Sequence, residues 1–122
     1  MKPVIKIKSV YDTPLKKDGY RILVDRLWPR GLTKERVALN FWAKELAPSP
    51  RLRKWFGHVP ELWVDFQKMY KAELKKNAAV ASFIEEHKDK KMITLLFAAK
   101  DNAHTHALVL QEFLERQFGG EK

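Results

Sequence analysis

Three stretches of the chain have the hydrophobic pattern of β-strands. Val4 to Val10 alternates apolar and basic residues, with the two-residue period of a strand that has one solvated face. Tyr20 to Asp25 and Met92 to Ala99 are short and largely apolar, which is typical of strands covered on both faces. These two segments are therefore predicted to be the buried strands of a sheet.

Apolar residues at spacings of three and four predict helices around these strands. The clearest helix runs from Pro60 to about Lys76. Its apolar stripe comprises Leu62, Trp63, Phe66, Met69, Tyr70 and Leu74. Further helices are predicted from Asn77 to about Lys88 and from about Asn102 to Phe118, with one helical turn at Leu52 to Phe56. Leu39 to Leu46 fits either a short edge strand or a turn of helix.

The order of these elements is strand, strand, a helical middle, strand and helix. Because the central strands are too apolar to leave a face in water, we expect an α/β fold with a small, largely parallel sheet of three to four strands and helices on both faces. A chain of 122 residues has the usual size of one domain. We therefore expect a single α/β domain over residues 1–122.

Composition narrows the function classes. No stretch approaches the roughly 20 apolar residues that span a bilayer, and the N-terminus lacks a signal-peptide pattern, so we expect a cytoplasmic protein without a membrane partner. Cysteine is absent, which excludes disulfides, thiolate metal sites and a cysteine nucleophile. Lys and Arg number 24 against 15 Asp and Glu, a net charge of +9. This excess favours nucleic acid, nucleotides or acidic metabolites, although a basic solvated surface explains it equally well.

Two polar segments, Asp25 to Gly31 and Lys100 to His106, directly follow the two buried strands. The carboxyl ends of parallel strands meet at one edge of a sheet, where the ligands of open α/β folds bind. We therefore expect the two segments to converge on one site, and we predict no cofactor for it.

The first segment combines charged donors with an aromatic ring. Arg26 and Arg30 suit phosphate or carboxylate, and Trp28 offers a flat surface for a ring. Asp25 ends an apolar strand, so partial desolvation makes it a candidate general base. The alternative is structural: Asp25 pairs with one of the arginines, and Trp28 packs in the core.

The second segment begins the predicted last helix, whose N-terminus together with Lys100, His104 and His106 favours an anion. We also expect Asp101 to contact the ligand. His106 is the candidate acid that acts with Asp25. The alternative is that Asp101 only caps the helix and the histidines are satisfied locally. Residues two apart on a helix point about 200° apart, so His104 and His106 could bind one metal ion only before regular helix begins. No carboxylate-histidine pattern elsewhere completes such a site, so we predict no metal, and a divalent-metal hydrolase that uses these two histidines is a third hypothesis.

A third cluster, Pro48 to His58, interleaves basic and aromatic residues, as surfaces that bind nucleotides or single strands often do. The chain has no phosphate-binding glycine loop, no G-x-S-x-G elbow and no dinucleotide fingerprint. The leading hypothesis is a small enzyme or binding protein for an anionic, nucleotide-like or phosphorylated ligand. The alternative hypothesis is a non-catalytic nucleic-acid-binding module.

Four segments, ILVDRLWPRGL, FWAKELAPS, LRKWFGH and LLFAAKDNAHTHALVL, resemble the YeaO-like proteins of domain-of-unknown-function family 488. The resemblance covers nearly the whole chain and implies a small bacterial or archaeal α/β protein without an established activity. Positions that match the family outline are Asp25, Arg26, Pro29, Lys100 and Asp101. The wider family has a Cys-His-Arg segment where this chain has His104 to His106. Because this chain has no cysteine, thiol chemistry suggested by that segment does not operate here.

Overall fold

The computed structural model describes residues 2–120, and within them four parallel strands form one sheet. The strands are β1 (Val4–Ser9), β2 (Tyr20–Leu23), β3 (Phe41–Trp42) and β4 (Met92–Phe97). Their order across the sheet is β1-β4-β2-β3. In β4, Ile93 is paired with Ile5 on one side and with Tyr20 on the other. The predicted α/β class and parallel sheet are confirmed.

Five α-helices lie in the described part of the chain. They are α1 (Lys34–Val37), α2 (Pro50–Phe56), α3 (Trp63–Lys76), α4 (Ala79–His87) and α5 (His106–Phe118). Single 3-10 turns occur at Lys16–Asp18, Lys44–Leu46 and Pro60–Leu62. The ambiguous segment from Leu39 to Leu46 therefore contains a two-residue edge strand followed by a 3-10 turn. Within residues 2–120, no helix has both the length and the apolar character needed to cross a membrane.

The helical cover of the sheet is unequal on its two faces. Residues of α2 to α5 join alternate strand residues in a large core, with Ile22, Ile93 and Leu95 fully buried. The other face has a smaller cluster around Leu23 and Leu96, covered by Val37 of the four-residue α1 and by loop residues. Helices therefore cover both faces, but one of them only through a single helical turn.

A buried ion pair supports the thinly covered face. Asp18 and Arg21 pair directly, and Lys8 lies 3.0 Å from the same carboxylate. The Arg21 guanidinium also donates to the carbonyl oxygen of Val37 at 2.7 Å, near the end of α1. Charged hydrogen bonds thus fix α1 to the sheet where the apolar contact area is small.

The last helix begins at His106, so the predicted start near Asn102 was wrong. The Asp101 carboxylate accepts hydrogen bonds from the backbone N–H groups of Ala103 at 2.9 Å and His104 at 3.1 Å. Such a local turn competes with helix formation. Thr105 then caps α5, since its hydroxyl accepts from the N–H of Ala107. The structural interpretation, in which Asp101 caps the last helix, was therefore partly correct. Its carboxylate caps the turn at Ala103 and His104, which precedes α5.

The apolar stripe of α3 is narrower than its sequence pattern predicts. Phe66, Tyr70 and Leu74 are buried at successive four-residue steps, whereas Met69 is 44% exposed. Trp63, three residues before Phe66, is half-buried and stacks on it, so the packed surface combines the four-residue line with one three-residue step and leaves Met69 outside. The predicted inward position of Met69 is therefore wrong.

Candidate functional site

A cavity of about 370 Å³ lies at the carboxyl edge of the sheet. It is bounded by residues that follow β1, β2 and β4, by the end of α2 and by the start of α5. Its size lies in the range typical of small-molecule sites. The residues that line it are Tyr11, Asp25, Arg26, Leu27, Trp28, Pro29, Arg30, Ala47, Pro48, Arg53, Phe56, His58, Phe66, Ala98, Ala99, His104, Thr105 and His106.

Both polar segments singled out in the sequence reach this cavity. The predicted site residues in its lining are Asp25, Arg26, Trp28, Arg30, His104 and His106. Lys100 is exposed and lies outside the lining. Asp101 also lies outside it, but its carboxylate is 2.7 Å from Nδ1 of His104. Asp101 thus orients a cavity residue without lining the cavity itself.

Arg53, Phe56 and His58 line the same cavity, although the sequence indicated their cluster as a separate candidate surface for nucleotides or single strands. The chain leaves α2 through Gly57 and His58, both with positive φ, 52° and 60°. A residue other than glycine is strained in this conformation, and such strain is common at functional sites. The basic and aromatic composition is the available sequence signal. Nothing local in the sequence indicates that this cluster faces the strand ends.

Asp25 follows β2 and links the ends of two strands. Its Oδ2 accepts a hydrogen bond from the backbone N–H of Ala98 at 3.0 Å, just after β4. Its Oδ1 is buried and accepts no hydrogen bond from any group in residues 2–120. Burial raises the pKa of Asp25, although the charge of His106, the bond from Ala98 and the charge of Arg53 oppose this effect. Asp25 is therefore a desolvated carboxyl with half of its hydrogen-bonding capacity unused.

His106 is the closest titratable neighbour of this carboxyl. Its Nε2 lies 2.9 Å from the carbonyl oxygen of Val24 and 3.4 Å from Oδ1 of Asp25. Because a carbonyl oxygen only accepts, Nε2 carries the hydrogen, and Nδ1 is the acceptor of the neutral ring. Burial lowers the pKa of His106, while Asp25 and the bond to Val24 partly counteract it. The two pKa values thus shift towards each other, which suits a pair that exchanges a proton.

Arg26 is partly engaged with the backbone. Its Nη2 donates to the carbonyl oxygens of Ala47 at 3.2 Å and Pro48 at 3.3 Å. Its Nε is buried and has no hydrogen-bond partner among the described residues. No ion pair joins Asp25 to Arg26 or Arg30 in this part of the chain, so the structural alternative of such a pair is not found. Arg26 holds the segment before α2 against the cavity.

Trp28 serves the loop as well as the cavity. Its Nε1 donates to the carbonyl oxygen of Leu32 at 2.6 Å, and its ring meets Trp42 edge-on at 5.5 Å between centroids. Trp42 in turn donates from Nε1 to the carbonyl oxygen of Asp25 at 2.7 Å. Trp28 is thus anchored in the small core while it lines the cavity, so the structural and functional interpretations both retain support.

Tyr11 was missed in the sequence because it lies at the end of an ordinary edge strand. Its hydroxyl donates to the carbonyl oxygen of Arg30 at 3.0 Å, which joins the segment after β1 to the loop after β2. Both residues line the cavity. The bond therefore fixes one side of the cavity wall.

The charge of the lining is strongly unequal. Three arginines and three histidines contribute to it, whereas Asp25 is its one acidic side chain among residues 2–120. Even with neutral histidines the potential favours an anion. In the same residues, no group of three or more histidine and carboxylate side chains is placed to hold a metal ion.

The fold and the cavity together give the class of protein. It is a small open-sheet α/β protein with a cationic cavity at the carboxyl edge of its parallel sheet. Residues 4–122 match the family model described as the inactive DUF488-N3 subclade. The chain therefore belongs to the YeaO-like proteins of domain-of-unknown-function family 488.

Relatives extend over most of this chain. It is 45% identical over 111 residues to Uncharacterized protein YeaO of Escherichia coli, which covers 90% of this chain and 96% of that protein. It is 36% identical over 110 residues to Uncharacterized protein Rv3073c of Mycobacterium tuberculosis and to Uncharacterized protein Mb3100c of Mycobacterium bovis. Those matches cover 90% of this chain and 92% of each relative. No solved structure matches the chain significantly.

Proposed function

We propose that this protein binds a small anionic, nucleotide-like ligand in the carboxyl-edge cavity and does not convert it. The observation that carries this proposal is the cationic lining, in which Arg30, Arg53 and His58 are exposed around a cavity of ligand size. Guanidinium groups present several donors in a fixed plane, which suits a phosphate group. The description of the family as an inactive subclade supports binding without turnover.

The apolar part of the lining favours a ligand that also carries a ring. Phe56 and Phe66 are stacked at 4.4 Å between centroids and back the cavity as core residues, 5% and 2% exposed. The more accessible aromatic side chains of the walls are the exposed Tyr11 and the half-buried Trp28. Such surfaces bind flat rings, because stacking buries apolar area without requiring a specific hydrogen-bond pattern. A ring joined to a phosphate therefore matches the cavity better than a phosphate alone.

Asp25 and His106, the candidate base and acid, act in this proposal as recognition groups. Their pKa values shift towards each other, which also suits acid-base catalysis. Incubation of the protein with each ligand that binds, followed by chromatography, separates the two roles. We expect the ligand to be recovered unchanged. If the wild type converts a ligand and Asp25→Asn does not, the protein is an enzyme, and the proposal of binding without conversion is wrong.

Isothermal titration tests the anion site. The probes are ribose 5-phosphate and the four common ribonucleoside 5′-monophosphates. We expect Arg53→Gln to weaken binding about tenfold or more, because it removes one cationic donor from the wall. Arg51→Gln is the matched control, since Arg51 is exposed on the same helix but lies outside the lining. The absence of binding by the wild type, or equal losses in both variants, contradicts the proposal.

A nucleic-acid-binding module is the second candidate, and one observation favours it. Trp55 is 41% exposed on α2, between Lys54 and the buried Phe56. An exposed ring beside basic residues is a typical stacking surface for single strands. Fluorescence anisotropy with a single-stranded oligonucleotide at two salt concentrations tests it. Binding that persists at physiological salt and is lost in Trp55→Ala supports this candidate. Binding that is abolished by salt is only a nonspecific electrostatic attraction and contradicts it.

A further inference from the structure

His104 is held in one orientation by two neighbours that lie outside the cavity lining. Its Nδ1 lies 2.7 Å from Oδ2 of Asp101, and its ring meets the ring of Trp63 edge-on at 5.4 Å between centroids. Asp101 is itself fixed, because its Oδ1 accepts the backbone N–H groups of Ala103 and His104. Of these side chains, His104 alone lines the cavity. Its imidazole is therefore a preorganised group of the cavity wall.

The bond to Asp101 determines which ring nitrogen of His104 carries a hydrogen. The hydrogen bond from His104 lowers the pKa of Asp101, so this carboxylate is ionised at neutral pH and can only accept. Nδ1 of His104 therefore carries a hydrogen and donates it to Asp101. In the neutral ring, the other nitrogen, Nε2, is then an acceptor.

Nε2 of His104 is accessible as well as unbonded. The side chain is 32% exposed, and its hydrogen bond within residues 2–120 is made by Nδ1. In the same residues, the side-chain nitrogen and oxygen atoms that are both buried and unbonded belong to Asp25 and Arg26. Nε2 of His104 is not among them and is therefore open to water. Because His104 lines the cavity, a ligand there can bond to this nitrogen.

The acceptor at Nε2 complements the two exposed arginines of the wall. Arg30 and Arg53 line the same cavity, and a guanidinium group can only donate. These donors suit a phosphate, but a fully ionised phosphate has no hydrogen to donate to Nε2. A nucleoside monophosphate also carries ribose hydroxyl groups, which do donate. The wall thus presents donors for a phosphate and an acceptor for a sugar.

We infer that His104 recognises the sugar of the ligand, by accepting a hydrogen bond at Nε2 from a ribose hydroxyl group, with Asp101 as its positioning residue. This inference rests on the proposed function, because it assigns a further contact of the same ligand. It adds a requirement that the cationic wall does not impose. A nucleotide without that hydroxyl group still reaches the arginines but leaves Nε2 without a donor.

Deletion of ribose hydroxyl groups tests the sugar contact. Isothermal titration at pH 8 compares the tightest of the four ribonucleoside 5′-monophosphates with its 2′-deoxy, 3′-deoxy and 2′,3′-dideoxy counterparts. In the wild type, we expect the dideoxy nucleotide to bind about five- to tenfold more weakly, the usual effect of one hydrogen bond. One of the two single deletions should account for this loss.

Two variants locate the effect. His104→Phe keeps a ring beside Trp63 but has no nitrogen, so we expect it to bind the four probes about equally. Asn102→Ala is the matched control, because Asn102 is exposed on the same segment and lies outside the lining. We expect this control to retain the preference for the ribonucleotide.

Histidine nitrogen NMR tests the role of Asp101 independently of affinity. In the wild type at pH 8, we expect Nδ1 of His104 to be protonated and Nε2 to be unprotonated. The Nε2 signal should shift with the ribonucleotide and much less with the dideoxy nucleotide. In Asp101→Asn, the amide oxygen keeps the two backbone bonds and the amide nitrogen donates to Nδ1, so Nε2 should carry the hydrogen. An unchanged tautomer in this variant contradicts the positioning role.

The outcomes separate this inference from the proposed function. If the wild type binds the ribonucleotide and the dideoxy nucleotide equally, the sugar contact is wrong while anion binding stands. If no probe binds, both fail. A ribose preference that survives in His104→Phe also overturns the inference. If that variant does not fold, the Nε2 signal of the wild type decides, because an equal response to both nucleotides contradicts the inferred hydrogen bond.

Discussion

Asp18 and Asp25 are buried or partly buried acids near opposite ends of β2, and their partners differ sharply. The Asp18 carboxylate is bound by Arg21, by Lys8 at 3.0 Å and by the backbone N–H of Leu15 at 2.9 Å. The Asp25 carboxylate has one backbone donor, and its Oδ1 is left without a hydrogen bond within residues 2–120. A fully bonded buried acid stabilises the fold. Asp25, half-bonded beside a cavity, is the acid to which the proposed function assigns recognition.

The pKa values of the two acids diverge for the same reason. Burial alone raises the pKa of Asp18, but the Leu15 N–H, Lys8 and Arg21 together outweigh it and hold the pKa below the ordinary value. At Asp25 burial outweighs the opposing effects of His106 and the Ala98 N–H, so its pKa is raised. Partners, more than burial, therefore decide which of these carboxyl groups supports the fold.

Removal of Asp18 is expected to have the largest effect. Asp18→Ala leaves the Arg21 guanidinium buried without its carboxylate, which typically costs about 3 to 5 kcal/mol. Urea unfolding measures the loss, with the exposed Asp89→Ala as control. A loss below about 1 kcal/mol would show that the Asp18 contacts contribute little to stability. It would contradict the conclusion that Asp18 supports the fold and Asp25 does not.

Removal of the Asp25 charge is expected to have a much smaller effect on stability. Because its raised pKa means that ionisation at neutral pH opposes folding, Asp25→Asn should leave the free energy of unfolding unchanged or raise it by about 1 kcal/mol. The same urea titration measures it. A loss comparable to that of Asp18→Ala contradicts the assignment of Asp25 to recognition.

The pH dependence of stability gives the smallest effect. The pKa of His106 is lowered from 6.5, so between this lowered pKa and about pH 6.5 the unfolded chain binds a proton more readily than the folded protein. The contribution of His106 to the free energy of unfolding is complete above about pH 6.5 and is lost as the pH falls through the lowered pKa. Asp25, with its pKa raised from 3.8, acts in the opposite sense at lower pH, because the folded protein then binds protons more readily.

Replacement of His106 isolates its part of that profile. His106→Gln retains a side-chain donor for the carbonyl oxygen of Val24 but does not titrate, so the decline in stability below about pH 6.5 should become shallower. Urea unfolding at a series of pH values measures the slope. An unchanged slope in this variant contradicts the lowered pKa. A histidine pKa measured by NMR above 6.5 for His106 leads to the same conclusion.

The sheet was predictable because its central strands carry their own signal. Met92 to Ala99 and Tyr20 to Asp25 are apolar runs whose burial does not depend on a distant partner, and both contain strands. Phe41–Trp42 was ambiguous, since a two-residue strand is shorter than the hydrophobic period needed to identify it. The start of α5 was misplaced because the Asp101 side chain binds the local backbone, which residue spacing does not reveal.

The site was predictable in part. Parallel strand ends share an edge, so Asp25, Arg30 and His106 were expected together and do line one cavity. Arg53 and His58 were assigned elsewhere, since their place depends on how α2 packs against residues far away in sequence. Whether a side chain lines the cavity or faces solvent depends on tertiary packing. The position of Lys100 outside the cavity was therefore not predictable from its neighbours in the sequence.

The central claim is that a phosphorylated ligand occupies the carboxyl-edge cavity. The most direct measurement is a titration of the isotopically labelled protein with the four ribonucleoside 5′-monophosphates, followed by amide NMR shifts. We expect saturable changes concentrated at residues 25–31, 53–58 and 98–106, with few changes in α4 and the outer face of α3. The absence of saturable changes, or changes concentrated at the exposed lysines of α3, Lys68, Lys75 and Lys76, would contradict the claim.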